Sequence, residues 1–309
     1  MAKLNGKNRE KLGKLFESAS KGIPLEFQRK TLKIEDLSYW KATQFRFVLL
    51  YCSAIVLKHV LGSCAYKHFL LYFVACRILS SSEFAVKHQS YAKTLLKNFF
   101  ILMPTYFGED CQTLNNHNLL HVADDVERMR KSLSDFSAFP FENCLGMLKS
   151  LISGRKDVVP QLIKRISEIE NCPTLLPEFK LTVNQPVQRI QKDPLVEYKN
   201  QTEEIQAVTV KEIKIRTIRP DNTVLLNNNT ILEVTGILKV DENIFVEGHE
   251  IQNIGNSFDY PCKSSILGIW KLGSTSSTRM MINLNQVKNK CIVLDIENEK
   301  HALNFLHVE

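Results

Sequence analysis

Pro173, Pro177, Pro186 and Pro194 fall among polar residues between positions 171 and 204, and the spacing of apolar residues changes across that stretch. Four prolines so close together oppose regular structure and mark a linker. Before it, over residues 1–170, apolar residues recur at helical intervals. Asp36 or Ser38 is placed to cap a helix entering Trp40, Phe45, Val48, Leu49 and Cys52, with Ile55, Val56, Val60 and Leu61 continuing the pattern. Further helices are expected over residues 66–79 and 84–103, with Pro104 stopping the second. Leu145, Leu148, Leu151 and Ile152 mark one more helical face, and Leu162, Ile163, Ile166 and Ile169 another. Core packing is the simplest use of all these faces.

After the prolines, over residues 205–309, the period shortens. Runs at 223–226, 230–234, 237–240, 244–247, 265–272, 280–284, 291–294 and 302–307 suit short strands joined by polar turns. The expected fold class is therefore α+β: a mainly helical region (1–170), a linker (171–204) and a small all-β domain (205–309), built as a barrel or sandwich.

The chain of 309 residues carries a net charge of +7, unevenly distributed. Residues 1–170 hold 25 Lys+Arg against 16 Asp+Glu, whereas residues 205–309 hold 11 against 12. A basic excess confined to the helical region suits a polyanionic partner such as nucleic acid, or a merely solvated basic surface. Residues 1–33 alone contain nine Lys/Arg and three acids. Lys3, Lys7, Arg9, Lys11 and Lys14 are candidate DNA-phosphate contacts or a nuclear-targeting patch; a solvated helix face is the alternative. The eight cysteines are scattered without a CxxC pair, and Cys52, Cys64 and Cys76 lie in apolar stretches that suit buried free thiols in a reducing compartment. The most apolar region, residues 45–79, is broken by Lys58–His59 and Lys67–His68, short of the ~18 apolar residues a membrane span requires. No signal-peptide core opens the chain. A nuclear or cytoplasmic protein, neither secreted nor membrane-bound, is expected.

The stretch NNHNLLHVADDVERMRKSLSDFSAFPFENCLGMLKSL (residues 115–151) holds the residues with most chemistry. His117 and His121, four apart, share one face of a helix and can present two imidazoles to a zinc ion; a structural pair is the plainer reading. Phe136, Phe139 and Phe141 around Pro140 suit an aromatic plug that seats a loop, and Pro140 suits a helix start. Glu142 then stands in the first helical turn, where the helix dipole favours a carboxylate. A metal-binding acid held on a rigid element is the functional alternative, although one carboxylate cannot hold the metal pair of two-metal phosphoryl transfer. In the β-rich tail, Trp270 and Tyr260 line a groove or fill a core.

GIPLEFQRK (22–30), WKATQFRFVLLYCSAIVLK (40–58), HNLLHVADDV (117–126) and SDFSAFPFENCLGMLKSL (134–151) together resemble invertebrate transposase-domain proteins similar to the CACTA class of DNA transposases. TVLLNNNTILEV and YPCKSSILGIWKL extend the resemblance into the tail. The resemblance implies a ribonuclease-H-like core with a helical insertion and a D–D–E acidic triad using Mg²⁺ or Mn²⁺. By motif match Glu142 is the third acid. His117 and His121 match the zinc-binding histidines of the related immune-gene recombinase, whose cysteine partners are expected further upstream. The first two aspartates belong N-terminal to Gly22, so the catalytic sheet is expected to be missing. The first expectation is therefore a transposase-derived chain, degenerate or reused by its host, that retains DNA as a partner but is not catalytic alone. An interaction module built on an SH3-like β domain, and an active D–D–E enzyme whose missing acids are supplied from elsewhere, are the alternatives.

Overall fold

The computed structural model describes residues 4–154, 156–171, 202–210, 213–240 and 243–306. The fold is α+β, with helices first and an antiparallel sheet after them. Most of the proline-bearing segment 171–204 lies outside the described residues. No helix among the described residues is long and apolar enough to cross a membrane.

The helical part opens with α1 (Gly6–Ser20), whose Leu12, Leu15, Phe16 and Ala19 are buried. A 3-10 turn (Ile34–Tyr39) then leads to α2 (Ala42–Phe47), a π turn (Val48–Cys52) and α3 (Ser53–Leu57). Neither Asp36 nor Ser38 caps this helix. Its start is fixed later, where the Lys41 N–H donates to Gln44 Oε1 at 2.9 Å. α4 (Ser63–Ser80) covers the span expected for it. α5 (Gln89–Phe107) starts later than the pattern suggests and runs through Pro104 instead of stopping there. Proline lacks the N–H that would bond the Phe100 carbonyl. Gln112 Nε2 supplies a replacement donor to that carbonyl at 3.4 Å, and the helix ends instead at Gly108, whose φ of 90° L-residues avoid.

α6 (Leu114–His117), α7 (Leu119–Met129), α8 (Phe139–Ser150) and α9 (Val158–Asn171) follow. Core packing fails as an account of the last two. No described side chain of α8 or α9 is buried, and Phe141 is 71% and Leu145 65% exposed. Phe141 is thus no part of an aromatic plug; Phe136 packs on the core and Phe139 receives the Arg46 guanidinium at 4.7 Å. Cys64 is likewise exposed and Cys76 only half-buried, whereas Cys52 is fully buried and its thiol pKa is raised by that burial.

The sheet comprises β1 (Thr202–Glu204), β4 (Thr223–Leu226), β5 (Ile231–Val240), β6 (Asn243–Asn256), β7 (Ile269–Asn283), β8 (Val287–Ile296) and β9 (Glu299–Asn304), in the order β1-β5-β4-β8-β9-β7-β6. β6 also pairs with β5, so the pairings run in a circuit from β5 through β4, β8, β9, β7 and β6 back to β5. A separate hairpin, β2 (Ala207–Val210) with β3 (Ile213–Arg216), was not among the strands expected from sequence. The apparent gap between the runs 230–234 and 237–240 is a bulge in one strand: Val234 opposes Gly248 and Gly236 opposes Glu247, leaving Thr235 extra and exposed.

The two zones share one core. Alternation along β7, β8 and β9 sends Trp270, Cys291 and Ala302 to one side of the sheet. Ile269, Ile292, Leu294, Ile296 and Leu303 face the other way and join α1, α3 and α4 in the largest buried cluster. Phe27, Phe47, Tyr51 and Phe305 form an aromatic knot in the seam, with Phe27 5.7 Å and Tyr51 6.0 Å from Phe305. The GIPLEF stretch is the strap across it. A Cβ on Gly22 would come within 2.4 Å of the Val293 carbonyl, so only glycine allows this approach.

Two buried cations complete the seam. Lys290 Nζ lies 2.8 Å from Glu26 Oε2, 2.6 Å from Asp221 Oδ1 and 2.8 Å from the Lys214 carbonyl, with no exposed side-chain surface. The carboxylates also accept from the backbone, Glu26 from Lys214 N–H and Asp221 from Leu25 N–H. The Arg77 guanidinium donates to the Leu50 carbonyl at 2.7 Å on the helical side, and to those of Leu267 and Asn304 at 3.1 and 3.0 Å on the β side. Leu50 lies in the π turn, where the regular i to i+4 ladder is interrupted. Burial lowers the Arg77 pKa to about 10, which still leaves it charged at neutral pH.

Lys290→Met would strip buried Glu26 of its cation and leave buried Asp221, among the described residues, with Arg216 alone, 3.9 Å away, a change that typically costs about 3–5 kcal/mol. Denaturant unfolding is expected to show that loss. In a Trp40→Phe background, helix ellipticity and Trp270 fluorescence are expected to disappear at one midpoint, since the largest buried cluster draws on both zones. Separate midpoints would contradict the shared core.

Candidate functional site

The histidine pair is the most chemically suggestive exposed arrangement. A break at Asn118 divides the helix expected there into α6 and α7, yet the i, i+4 spacing still brings His117 Nε2 within 3.3 Å of His121 Nε2. His117 leans edge-on against Phe100, and His121 Nδ1 stands 3.9 Å from Asp124 Oδ2. Asp124 is held in turn by Lys93 from α5. A tetrahedral zinc with bonds of about 2.05 Å would span nitrogens about 3.3 Å apart, so the pair has the bite of two ligands. Among the described residues, no group of three or more His, Cys, Asp or Glu gathers to hold a metal ion.

Glu142 is exposed in the first turn of α8, as the sequence suggests. None of the described aspartates completes a metal-holding group with it. The five basic candidates near the N-terminus divide. Lys3 lies outside the described residues. Lys7 and Arg9 are exposed on α1, Lys11 pairs with Glu297 at 3.2 Å, and Lys14 pairs with Glu10 at 2.7 Å. α1 is thus a packed element with a charged outer face. Trp270 belongs to the interior of the β zone, whereas Tyr260 is exposed, with Lys67 Nζ 5.9 Å from its ring centre.

The structure also assembles a group that the sequence reading missed. Ser257 Oγ is 2.8 Å from His301 Nδ1, and Glu299 Oε2 is 3.7 Å from His301 Nε2. The order hydroxyl, imidazole, carboxylate invites comparison with a nucleophilic triad, but His301 is only 1% exposed and Ser257 4%. Neither can meet a substrate in this state. Ser257 N–H donates to Ser264 Oγ, so the group serves as a clasp between the 257–264 loop and β9. The signal lay in alternation: His301 shares a buried strand with Ala302 and Leu303, where a polar side chain requires an internal partner.

A family model described as a domain of unknown function (DUF8592) matches residues 188–307. It covers the described β zone and stops short of the helices. No curated protein and no solved structure matches the chain.

Burial pulls the pKa of His301 down from 6.5 to about 4; Glu299 opposes the shift, and Lys58, Lys271 and His59 add to it. Between these values the unfolded chain binds a proton here that the folded chain does not. Stability contributed by this group is therefore complete above pH 6.5 and is lost as pH falls towards 4. The loss amounts to about 3 kcal/mol once the window is crossed. Urea unfolding over this range is expected to show the decline, and His301→Gln to flatten it; an unchanged slope in the variant would assign the acid sensitivity elsewhere.

Proposed function

We propose that the chain derives from a CACTA-type D–D–E transposase, does not cleave DNA by itself, and retains contact with DNA through its basic helical zone. What carries this reading is the state of α8. The helix that the motif match assigns to the third acid is also a helix that leaves Phe141 and Leu145 uncovered. Contiguous exposed apolar side chains mark a surface that another element is meant to cover. In a ribonuclease-H-like core that element is the catalytic sheet. Among the described residues the acidic companions of Glu142 are absent, and one carboxylate does not hold the metal pair of the reaction. No step through Mg²⁺ or Mn²⁺ follows for this chain. His117 and His121 fit two positions of a zinc site, with the remaining ligands drawn from other residues. DNA as partner implies residence in the nucleus.

A second reading makes the β zone an SH3-like interaction module. The circuit of strand pairings supports a small barrel. The burial of Trp270 leaves Tyr260 as the aromatic available to a groove.

Purified chain incubated with labelled duplex DNA and Mg²⁺ or Mn²⁺ is expected to give no strand cleavage, and Glu142→Ala to behave identically. Cleavage that disappears in Glu142→Ala would overturn the non-catalytic reading. The uncovered state of α8 has its own check. Leu145→Ser is expected to change unfolding free energy by no more than about 0.5 kcal/mol, as at other exposed sites. A loss of about 2 kcal/mol or more would mean that the face is packed.

A further inference from the structure

Between the GIPLEF strap and α2 the chain forms a surface that the transposase reading does not use. Leu32 and Ile34 anchor it from below. The Trp40 indole, seated on Phe16 at 5.6 Å, donates from Nε1 to the Lys33 carbonyl at 2.9 Å. Gln44 Nε2 donates to the Thr31 carbonyl at 2.7 Å, while its Oε1 accepts from Lys41 N–H. Two side chains from one end of the segment thus pin two carbonyls at the other, drawing residues 29–33 against 40–45.

The pinned backbone turns its charges outwards. Arg29, Lys30, Lys33 and Lys41 are all exposed, and none makes an ion pair among the described residues. Glu35 and Asp36 are the acids of the same stretch, and Glu35 lies over Gly13 of α1. The same segment carries two aromatic rings. Tyr39 is 78% exposed and stacks on no other ring among the described residues; Phe45 is half exposed, backed by Trp40 at 5.4 Å. An exposed aromatic flanked by free cations, on a backbone fixed by buried hydrogen bonds, is ready to receive an unpaired base on the ring and phosphates on the ammonium groups. Duplex DNA keeps its base faces stacked and cannot use the ring in this way.

We propose that residues 29–45 form a binding platform for single-stranded nucleic acid, with Tyr39 as the stacking residue and Arg29, Lys30, Lys33 and Lys41 as the phosphate contacts. The platform does not rest on transposase ancestry: it needs only the surface described, and a chain of any descent that presents it would bind.

The test uses the full chain and fluorescence anisotropy of a labelled oligothymidylate of about 20 nucleotides, titrated over a range of salt. Tyr39→Ala is expected to weaken binding about five- to tenfold with the salt slope unchanged, and Tyr39→Phe to restore most of it. A Lys30→Ala, Lys33→Ala, Lys41→Ala triple variant is expected to weaken binding and reduce the slope by about two to three. A control variant at the end of α7, Arg128→Ala with Lys131→Ala, is expected to change little. The proposal is overturned if Tyr39→Ala binds as wild type, if the control variant weakens binding equally, if a duplex of the same length binds as tightly, or if polyglutamate competes as well as unlabelled oligothymidylate. Because these side chains are exposed, thermal unfolding of each variant is expected to match wild type.

Discussion

One ammonium group holds together three stretches that are far apart in the sequence. Lys290 comes from β8, Glu26 from the strap after α1, and Asp221 from the turn before β4. A charge so deeply buried is tolerable only because both carboxylates reach it, and they in turn are tolerable only because backbone N–H groups fix them. Removing Lys290 takes the ammonium from both carboxylates at once, leaving, among the described residues, Glu26 without a cation and Asp221 with only Arg216 at 3.9 Å. The rest of the seam depends on the strap that this network seats: Gly22 against Val293, Phe27 in the aromatic knot, and, beyond it, the turn that leads into Trp40.

Arg77 plays the same part in the seam as Lys290, with carbonyls in place of carboxylates. The two cations join the zones by directional contacts over an apolar interface that would otherwise permit sliding. This distinguishes α1 to α5 from the last two helices. α8 and α9 have apolar side chains at helical spacing but contribute no buried residue to the seam. The molecule therefore has a tightly specified body and a helical pair whose sequence is richer in apolar residues than its surroundings require.

Much of this architecture was legible in the sequence. The change of period across the prolines separates helices from strands, α4 falls over its expected span, and the run 223–226 is β4. The errors have physical causes. Pro104 was read as a stop because the sequence does not show that Gln112 would serve the Phe100 carbonyl. The break within β5 was read as a turn because a bulge disturbs alternation as a turn does. Helical periodicity in α8 and α9 reports an amphipathic face without saying whether anything covers it. The seam was hidden more deeply. Lys290 sits in phase with Ile292, Leu294 and Ile296, a charge at an inward strand position, which signals a buried partner but not which one. Of the candidate sites, the convergence of His117 and His121 followed directly from their spacing. The isolation of Glu142, by contrast, depends on residues distant in sequence.

The helix-facing side of β8 and β9 has a consequence for how the β zone can travel between proteins. A family model spans residues 188–307, yet in this chain one side of that stretch's sheet is covered by residues from outside it. Ile292, Leu294, Ile296 and Leu303 are dry only because helices from outside that stretch lie on them. A gene rearrangement that moved the stretch alone would deliver a sheet with an apolar side facing water and a lysine without its Glu26. Proteins that inherit the same face must therefore inherit, or reinvent, a lid for it.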